Sequence, residues 1–181
     1  MPRLIHLNGP SGVGKSTVAQ LYVDRHPGVL NLDIDRIVTM IGGWRDDVRP
    51  VLGPARTIAI GMAGAHLADG RDVIMPQLVA DHEQVARFES AAREAGGEYR
   101  EIALTADRFT LRERSTVRRD RAETRTFVDD VLDEGGPRLL AKIYDDFDTY
   151  LRDRPDAIVL GTGDADADRT YTALVTALTD L

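Results

Sequence analysis

Cysteine is absent from the 181 residues, which removes disulfides, thiol catalysis and thiolate metal sites from consideration. Lysine is nearly absent: it stands only at positions 15 and 142, so 21 of the 23 basic residues are arginine. No apolar run reaches the length of a membrane span, and the first residues lead straight into a short apolar stretch rather than a signal peptide. A soluble cytoplasmic protein with no membrane partner is the expectation. Positive charge is in deficit as well. A net charge of −7 argues against general nucleic-acid binding, because phosphate backbones require a basic footprint; a local cluster can still hold a small phosphorylated ligand. The four histidines (6, 26, 66, 82) have no metal-ligand spacing. Repeats, low-complexity tracts and linkers are lacking, which points to one domain over residues 1–181, long enough to bury about 70% of its unfolded surface without staples.

What is present is concentrated in residues 9–17, Gly9-Pro10-Ser11-Gly12-Val13-Gly14-Lys15-Ser16-Thr17. An apolar run, Leu4-Ile5-His6-Leu7, precedes them, and a helical pattern with Val18, Leu21 and Tyr22 on one side follows. Strand, glycine-rich loop and helix form the context in which Gly-x-x-x-x-Gly-Lys-Ser holds a nucleotide phosphate chain. Gly9, Gly12 and Gly14 allow positive φ, so the backbone N–H groups can turn inward as an anion nest with the positive helix end behind them. Lys15 supplies a movable point charge, and the Ser16 hydroxyl is placed to ligate Mg²⁺.

Further strands are expected at residues 29–33, 72–75, 99–104 and 157–160. Helices are expected around 37–41, then from Pro54 to a stop at Gly70 with Ile58, Met62 and Ala65 inward, and over 81–95 with Val85, Phe88 and Ala92 inward. From 105 to 154 the pattern is helical and heavily charged, interrupted at Gly135-Gly136-Pro137, and its acidic stretch 129–156 reads as a solvated face. A last amphipathic helix carries Leu174, Leu178 and Leu181. Strands alternating with helices give an α/β fold with a parallel sheet covered on both faces, and ligands at its carboxyl edge.

Asp33-Ile34-Asp35-Arg36 ends the second strand, at the crevice edge. On an extended segment Asp33 and Asp35 project to the same side. One carboxylate can hold a magnesium shell through water while the other orients or deprotonates an acceptor hydroxyl; alternatively one, Asp33 before Asp35, caps the helix starting near Arg36. Residues 112–125 hold six arginines (112, 114, 118, 119, 121, 125) against three acids. That composition fits a lid closing over a transferring phosphoryl group, with the remaining arginines in solvated ion pairs. Arg114 and Arg118 share a helical face that Arg121 extends. Pro76-Gln77 closes the third strand at the same edge, where Gln77 either hydrogen-bonds a polar acceptor or serves as a turn residue. No acid follows Val73-Ile74-Met75, which leaves the magnesium role to Asp33 or water.

The phosphate loop, the Asp-x-Asp and the arginine-rich segment together resemble the P-loop small-molecule kinases, in particular shikimate kinase, gluconate kinase and chloramphenicol phosphotransferase, and more loosely adenylate kinase. The resemblance implies a three-layer P-loop fold with a five-stranded parallel sheet in the order 2-3-1-4-5 and an Arg-rich helical lid near 112–137. It implies ATP and Mg²⁺ as cofactors and transfer of the γ-phosphate to a hydroxyl of a small metabolite or antibiotic. On it, Asp33 belongs to the magnesium shell with Ser16, and Asp35 is the base that binds the acceptor. Arg114 and Arg118 contact phosphates, with Arg121 near the substrate. The region of Trp44 and Arg45 helps form the acceptor pocket, although a single tryptophan serves equally well as core. The loop Gly161-Thr162-Gly163-Asp164 resembles the one that borders adenine. Shikimate itself fits poorly, because the glycine-rich loop that shikimate kinase carries after its third strand is replaced by Pro76-Gln77. A regulatory P-loop NTPase acting through a protein partner is the alternative; the guanine-reading Asn-Lys-x-Asp is missing, and no Asp-x-x-Gly follows the third strand.

Overall fold

The strand that leads into the glycine-rich loop has almost no contact with solvent. In the computed structural model, which describes residues 1–111, 113–114, 127–163 and 165–179 and, within these, not the side chains of 127–134 and 137, Leu4, Ile5, His6, Leu7 and Asn8 are all fully buried. This strand, β1 (Arg3–Asn8), is the centre of a five-stranded sheet with β2 (Leu30–Asn31), β3 (Val73–Pro76), β4 (Glu98–Thr105) and β5 (Ile158–Gly161). The order is β2-β3-β1-β4-β5, and every pairing is parallel. Strands of a parallel sheet are covered on both faces, which is why they read as continuous apolar runs.

The period of two divides β1 between two cores. Leu4 joins Val73 and Met75 of β3 in a cluster with residues of α2 (Ile34–Met40), α3 (Arg49–Ala68) and α4 (His82–Glu94). Ile5 and Leu7 join Ile74, Ile102 and Leu104 in a cluster on the opposite face. There α1 (Lys15–Arg25) supplies Val18, Ala19 and Tyr22, and α6 (Ala167–Thr179) supplies Leu174 and Leu178. Between β4 and β5 runs α5 (Phe127–Arg152), interrupted at Gly136, whose φ of 62° and ψ of −164° are not helical. The expected break at Gly135-Gly136-Pro137 is therefore present. Beyond it, Tyr144, Phe147 and Tyr150 are buried at every third position while Asp145, Asp146 and Asp148 face solvent. Among the described residues no helix is long and apolar enough to cross a membrane. Arg118, Arg121, Asp164, Leu181 and most of the arginine-rich segment lie outside the described residues.

Three expectations need correction. Strand two is shorter than 29–33: after Leu32 donates its N–H to Ile74 at 2.8 Å, Asp33 turns the chain by capping α2, accepting from the Asp35 N–H at 3.0 Å. Asp33 and Asp35 are consequently not two steps along an extended segment. The third helix starts at Arg49 with Pro50 in its first turn, and Pro54 lies inside it. Its buried face is also not the expected one. Val51, Ala55, Ala59, Ala63 and Leu67 face inward, whereas Ile58 and Met62 are 46% and 41% exposed, and Ala65 is exposed too. A ridge of alanines at every fourth position lets α3 lie close to its neighbours; bulkier Ile58 and Met62 would hold it away, so they take the outer side.

Enlarging the ridge should therefore cost more than trimming the outer face. Ala59→Leu is expected to destabilise the fold by about 1–3 kcal/mol through overpacking, and Met62→Ala to stay within about 0.5 kcal/mol, both read from urea unfolding midpoints.

Candidate active site

The glycine-rich loop leaves β1 at the carboxyl edge of the sheet and crosses β4 at once. Gly9 has φ +147°, and a Cβ built there would sit 2.4 Å from the Leu104 carbonyl oxygen. No side chain fits. Gly12 and Gly14 also have positive φ, 86° and 96°. Gly14 is the left-handed N-cap of α1, so the N-terminus of that helix opens at the loop, with nothing within 4 Å of where a Cβ at Gly14 would lie. Val13, between the two glycines, is buried and anchors the turn in the α1 core. The Lys15 ammonium donates to the Pro10 carbonyl at 3.0 Å, across the mouth of the loop, and Ser16 and Thr17 are exposed at the start of α1. Glycines at positive φ, a helix N-terminus and one cation are the elements from which an anion cradle is built.

Asp35 sits in the first turn of α2. The Gln77 carboxamide, arriving from the end of β3, donates Nε2–H to Asp35 Oδ1 at 3.4 Å, so the structure brings these two predicted residues together. The other end of that carboxamide, Oε1, is buried and has no hydrogen-bond partner among the described residues. Asp33 caps α2, and its second oxygen lies 3.6 Å from Arg36 Nε. Trp44 is half-buried against the α2–α3 core, and the Arg45 guanidinium stacks 4.4 Å above its ring. Trp44 is thus at least in part the core residue that was the alternative.

Arg114 occupies an unexpected position. Its Nη2 donates to the carbonyls of Thr162 and Gly163 at 3.0 and 2.8 Å, fastening the root of the arginine-rich segment to the loop after β5. The Thr162 hydroxyl in turn lies 3.2 Å from the Val13 and Thr105 carbonyls. The arginine-rich root, the β5 exit loop and the phosphate loop therefore form one cluster.

Sequence reasoning missed a layer of buried polar groups beneath the loop. His6 is fully buried: Nε2 bonds the Gln77 carbonyl at 2.8 Å and Nδ1 bonds the Tyr99 hydroxyl at 2.6 Å. Since the carbonyl can only accept, Nε2 carries the proton and Nδ1 accepts from Tyr99. Burial pulls the His6 pKa down to about 4, with Glu101 opposing and Lys15 and Arg154 assisting. Asn8 and Glu101 are buried beside it. Glu101 accepts from Asn8 Nδ2 at 2.7 Å, from the Tyr150 hydroxyl at 2.8 Å and from Arg154 Nε at 2.9 Å. Arg154 also pairs with Glu89 at 2.6 Å. Burial works against the Arg154 charge, but Glu89 and Glu101 more than offset it and hold the guanidinium above its usual value. The one signal that pointed here was a histidine inside an otherwise apolar strand.

Residues 4–135 match the AAA domain family AAA_33. The whole chain resembles several solved structures. One is a candidate kinase of Chloroflexus aurantiacus, 19% identical, with 99% of this chain and 97% of that chain aligned at a TM-score of 0.71. Another is the tunicamycin resistance protein of Deinococcus radiodurans, 17% identical over 99% and 96% of the two chains, TM-score 0.66. A third is the APS kinase of Mycobacterium tuberculosis in complex with AMPPNP and APS, 17% identical over 98% and 97%, TM-score 0.59. At these identities the likeness is one of fold. No curated protein matches the chain in sequence.

The buried neutral histidine gives a pH signature. Its folded pKa of about 4 lies below the unaltered 6.5, so the unfolded chain binds a proton that the folded chain refuses between those values. Stability from this group is full above pH 6.5 and is lost as pH falls toward 4, by about 3 kcal/mol in all. In His6→Gln the rise of unfolding free energy from about pH 4 to 6.5, measured by urea melts at several pH values, should be smaller by about 3 kcal/mol.

Proposed function

The chain belongs to the AAA domain family matched by residues 4–135, and from that premise we propose that it is an ATP-dependent kinase that transfers the γ-phosphate to a hydroxyl of a small molecule. One observation carries this reading: the glycine-rich loop leaves β1 at the sheet edge where Gln77, from the end of the neighbouring β3, donates to the Asp35 carboxylate. Phosphoryl transfer requires mainly positioning and electrostatic compensation, and these residues supply both.

In this reading the amides of residues 11–14 and the N-terminus of α1 hold the phosphate chain of ATP, and Lys15 leaves the Pro10 carbonyl to meet its terminal phosphates. Pro10, Ser11, Val13 and Thr17 complete the cradle. The oxygen donors at Ser16 and Asp33 suit a hard cation that keeps several waters, and these two residues would hold Mg²⁺. Bound there, the ion would offset charge on the phosphates. Asp35 accepts the hydrogen of the attacking hydroxyl, and Gln77 keeps the carboxylate aimed. Gln77 Oε1, which has no partner among the described residues at a cost of about 1–3 kcal/mol, would gain a donor from the acceptor molecule, which favours acceptors with a second hydroxyl or amino group beside the reactive one. Arg114, fixed to the loop after β5, borders the nucleotide rather than the transferring group; Arg118 and Arg121 are proposed for the phosphates and the acceptor. Trp44 and Arg45 form the outer wall of the acceptor pocket.

The test is incubation with labelled ATP and a library of polyols, amino alcohols and antibiotics, followed by mass spectrometry for a phosphorylated product. ATP hydrolysis without any such product would overturn the kinase reading. Lys15→Ala is expected to abolish tight binding of ATP–Mg²⁺ in titration calorimetry. Asp35→Asn should keep ATP affinity yet lose transfer by about two to four orders of magnitude. Weakened ATP binding with normal turnover at saturation would instead remove Asp35 from the base role.

A further inference from the structure

Two polar side chains project from β1 on its α3–α4 face, and neither touches the nucleotide or acceptor in the reading above, on which this inference builds. His6 holds the carbonyl of Gln77. Asn8 holds more. Its Oδ1 accepts the N–H of Gly9 at 2.9 Å and that of Val79 at 2.9 Å, and its Nδ2 donates to the Val79 carbonyl at 2.8 Å and to Glu101 Oε1 at 2.7 Å. All four hydrogen-bonding positions of the carboxamide are used. Gly9 is the first residue of the phosphate loop. Val79 ends the three-residue stretch that carries Gln77 to Asp35. One side-chain oxygen therefore binds the backbone of both halves of the site.

Asn8 is itself held from below. Glu101 takes its amide hydrogen and is fixed by Tyr150, whose hydroxyl reaches both carboxylate oxygens at 2.8 and 3.0 Å, and by Arg154. Buried ionic groups contribute little net stability compared with apolar residues of the same shape; what a fully satisfied network supplies is a single arrangement of the groups it binds. Here those groups are the backbones that frame the transfer reaction. We propose that Asn8, backed by Glu101 and Tyr150, is a positioning residue that sets the phosphate loop and the Gln77–Val79 segment in register, so that donor and acceptor meet at the correct separation.

Asn8→Asp tests this with almost no change in shape: the acceptor oxygen survives, but the donor is replaced by an oxygen that faces the Val79 carbonyl and Glu101. Tyr150→Phe is the milder variant, and it decides the matter should Asn8→Asp fail to fold. Two readouts are taken well below the melting temperature: amide hydrogen exchange by mass spectrometry, and calorimetric affinity for ATP–Mg²⁺. Exchange in residues 9–14 and 77–79 is expected to accelerate together by about tenfold or more in Asn8→Asp and less in Tyr150→Phe, with strand β3 unchanged, and affinity should fall in the same order. A lower melting temperature with both segments and the affinity unaltered would reduce the network to a structural role and overturn the proposal, as would acceleration confined to one segment. Should the unaltered protein bind no ATP–Mg²⁺, the nucleotide reading fails, while the joint exchange of the two segments still decides the register.

Discussion

The approach of Gly9 to the Leu104 carbonyl is the constraint on which the remaining geometry depends. A chain that leaves the central strand and must wrap over a neighbouring strand within one residue has room only for hydrogen at that Cα. The wrap directs the following amides inward, ends in the left-handed Gly14 and so starts α1 with its N-terminus at the sheet edge. Because β1 lies between β3 and β4, the same edge receives Gln77 from one side and Thr105 from the other. The loop after β5 then closes against the phosphate loop through Thr162. The site is the meeting point of strand ends, and the sheet order decides which ends meet.

Fold class, strand succession and phosphate loop were legible because each is local: an apolar run, a glycine spacing and a helical period all lie within about a dozen residues. Gln77 was legible as a residue at a strand end, though its hydrogen bond to Asp35 was not. The inner face of α3 was misread because Ile58 and Met62 outrank alanine in hydrophobicity, whereas close helix packing selects for small volume. Asp33 and Asp35 were read as strand neighbours because an aspartate that caps a helix and one that ends a strand look alike until the turn is seen. Asn8 and Glu101 left no trace at all; an asparagine before a glycine and a glutamate in a charged strand are unremarkable residues, and their significance is created by partners far away in the chain.

Charge placement follows a related logic. Asp145, Asp146 and Asp148 of α5 are exposed and paired with Arg108 and Lys142. Among the described residues, Lys15, Arg114 and the N-terminus of α1 bring positive charge to the carboxyl edge of the sheet.

The partners of Asn8 at Val79 and Glu101 are 71 and 93 residues distant. In folding terms the glycine motif, although continuous in sequence, is among the least local features of the molecule: its shape is completed only when β3 and β4 have docked beside β1. Contacts of such separation form late and require most of the chain to be in place. A nascent chain that has emerged only as far as α2 therefore carries every residue of the motif without the cradle. The shape of the loop should arise together with the cooperative fold and disappear with it, so an incomplete chain holds the residues without their arrangement.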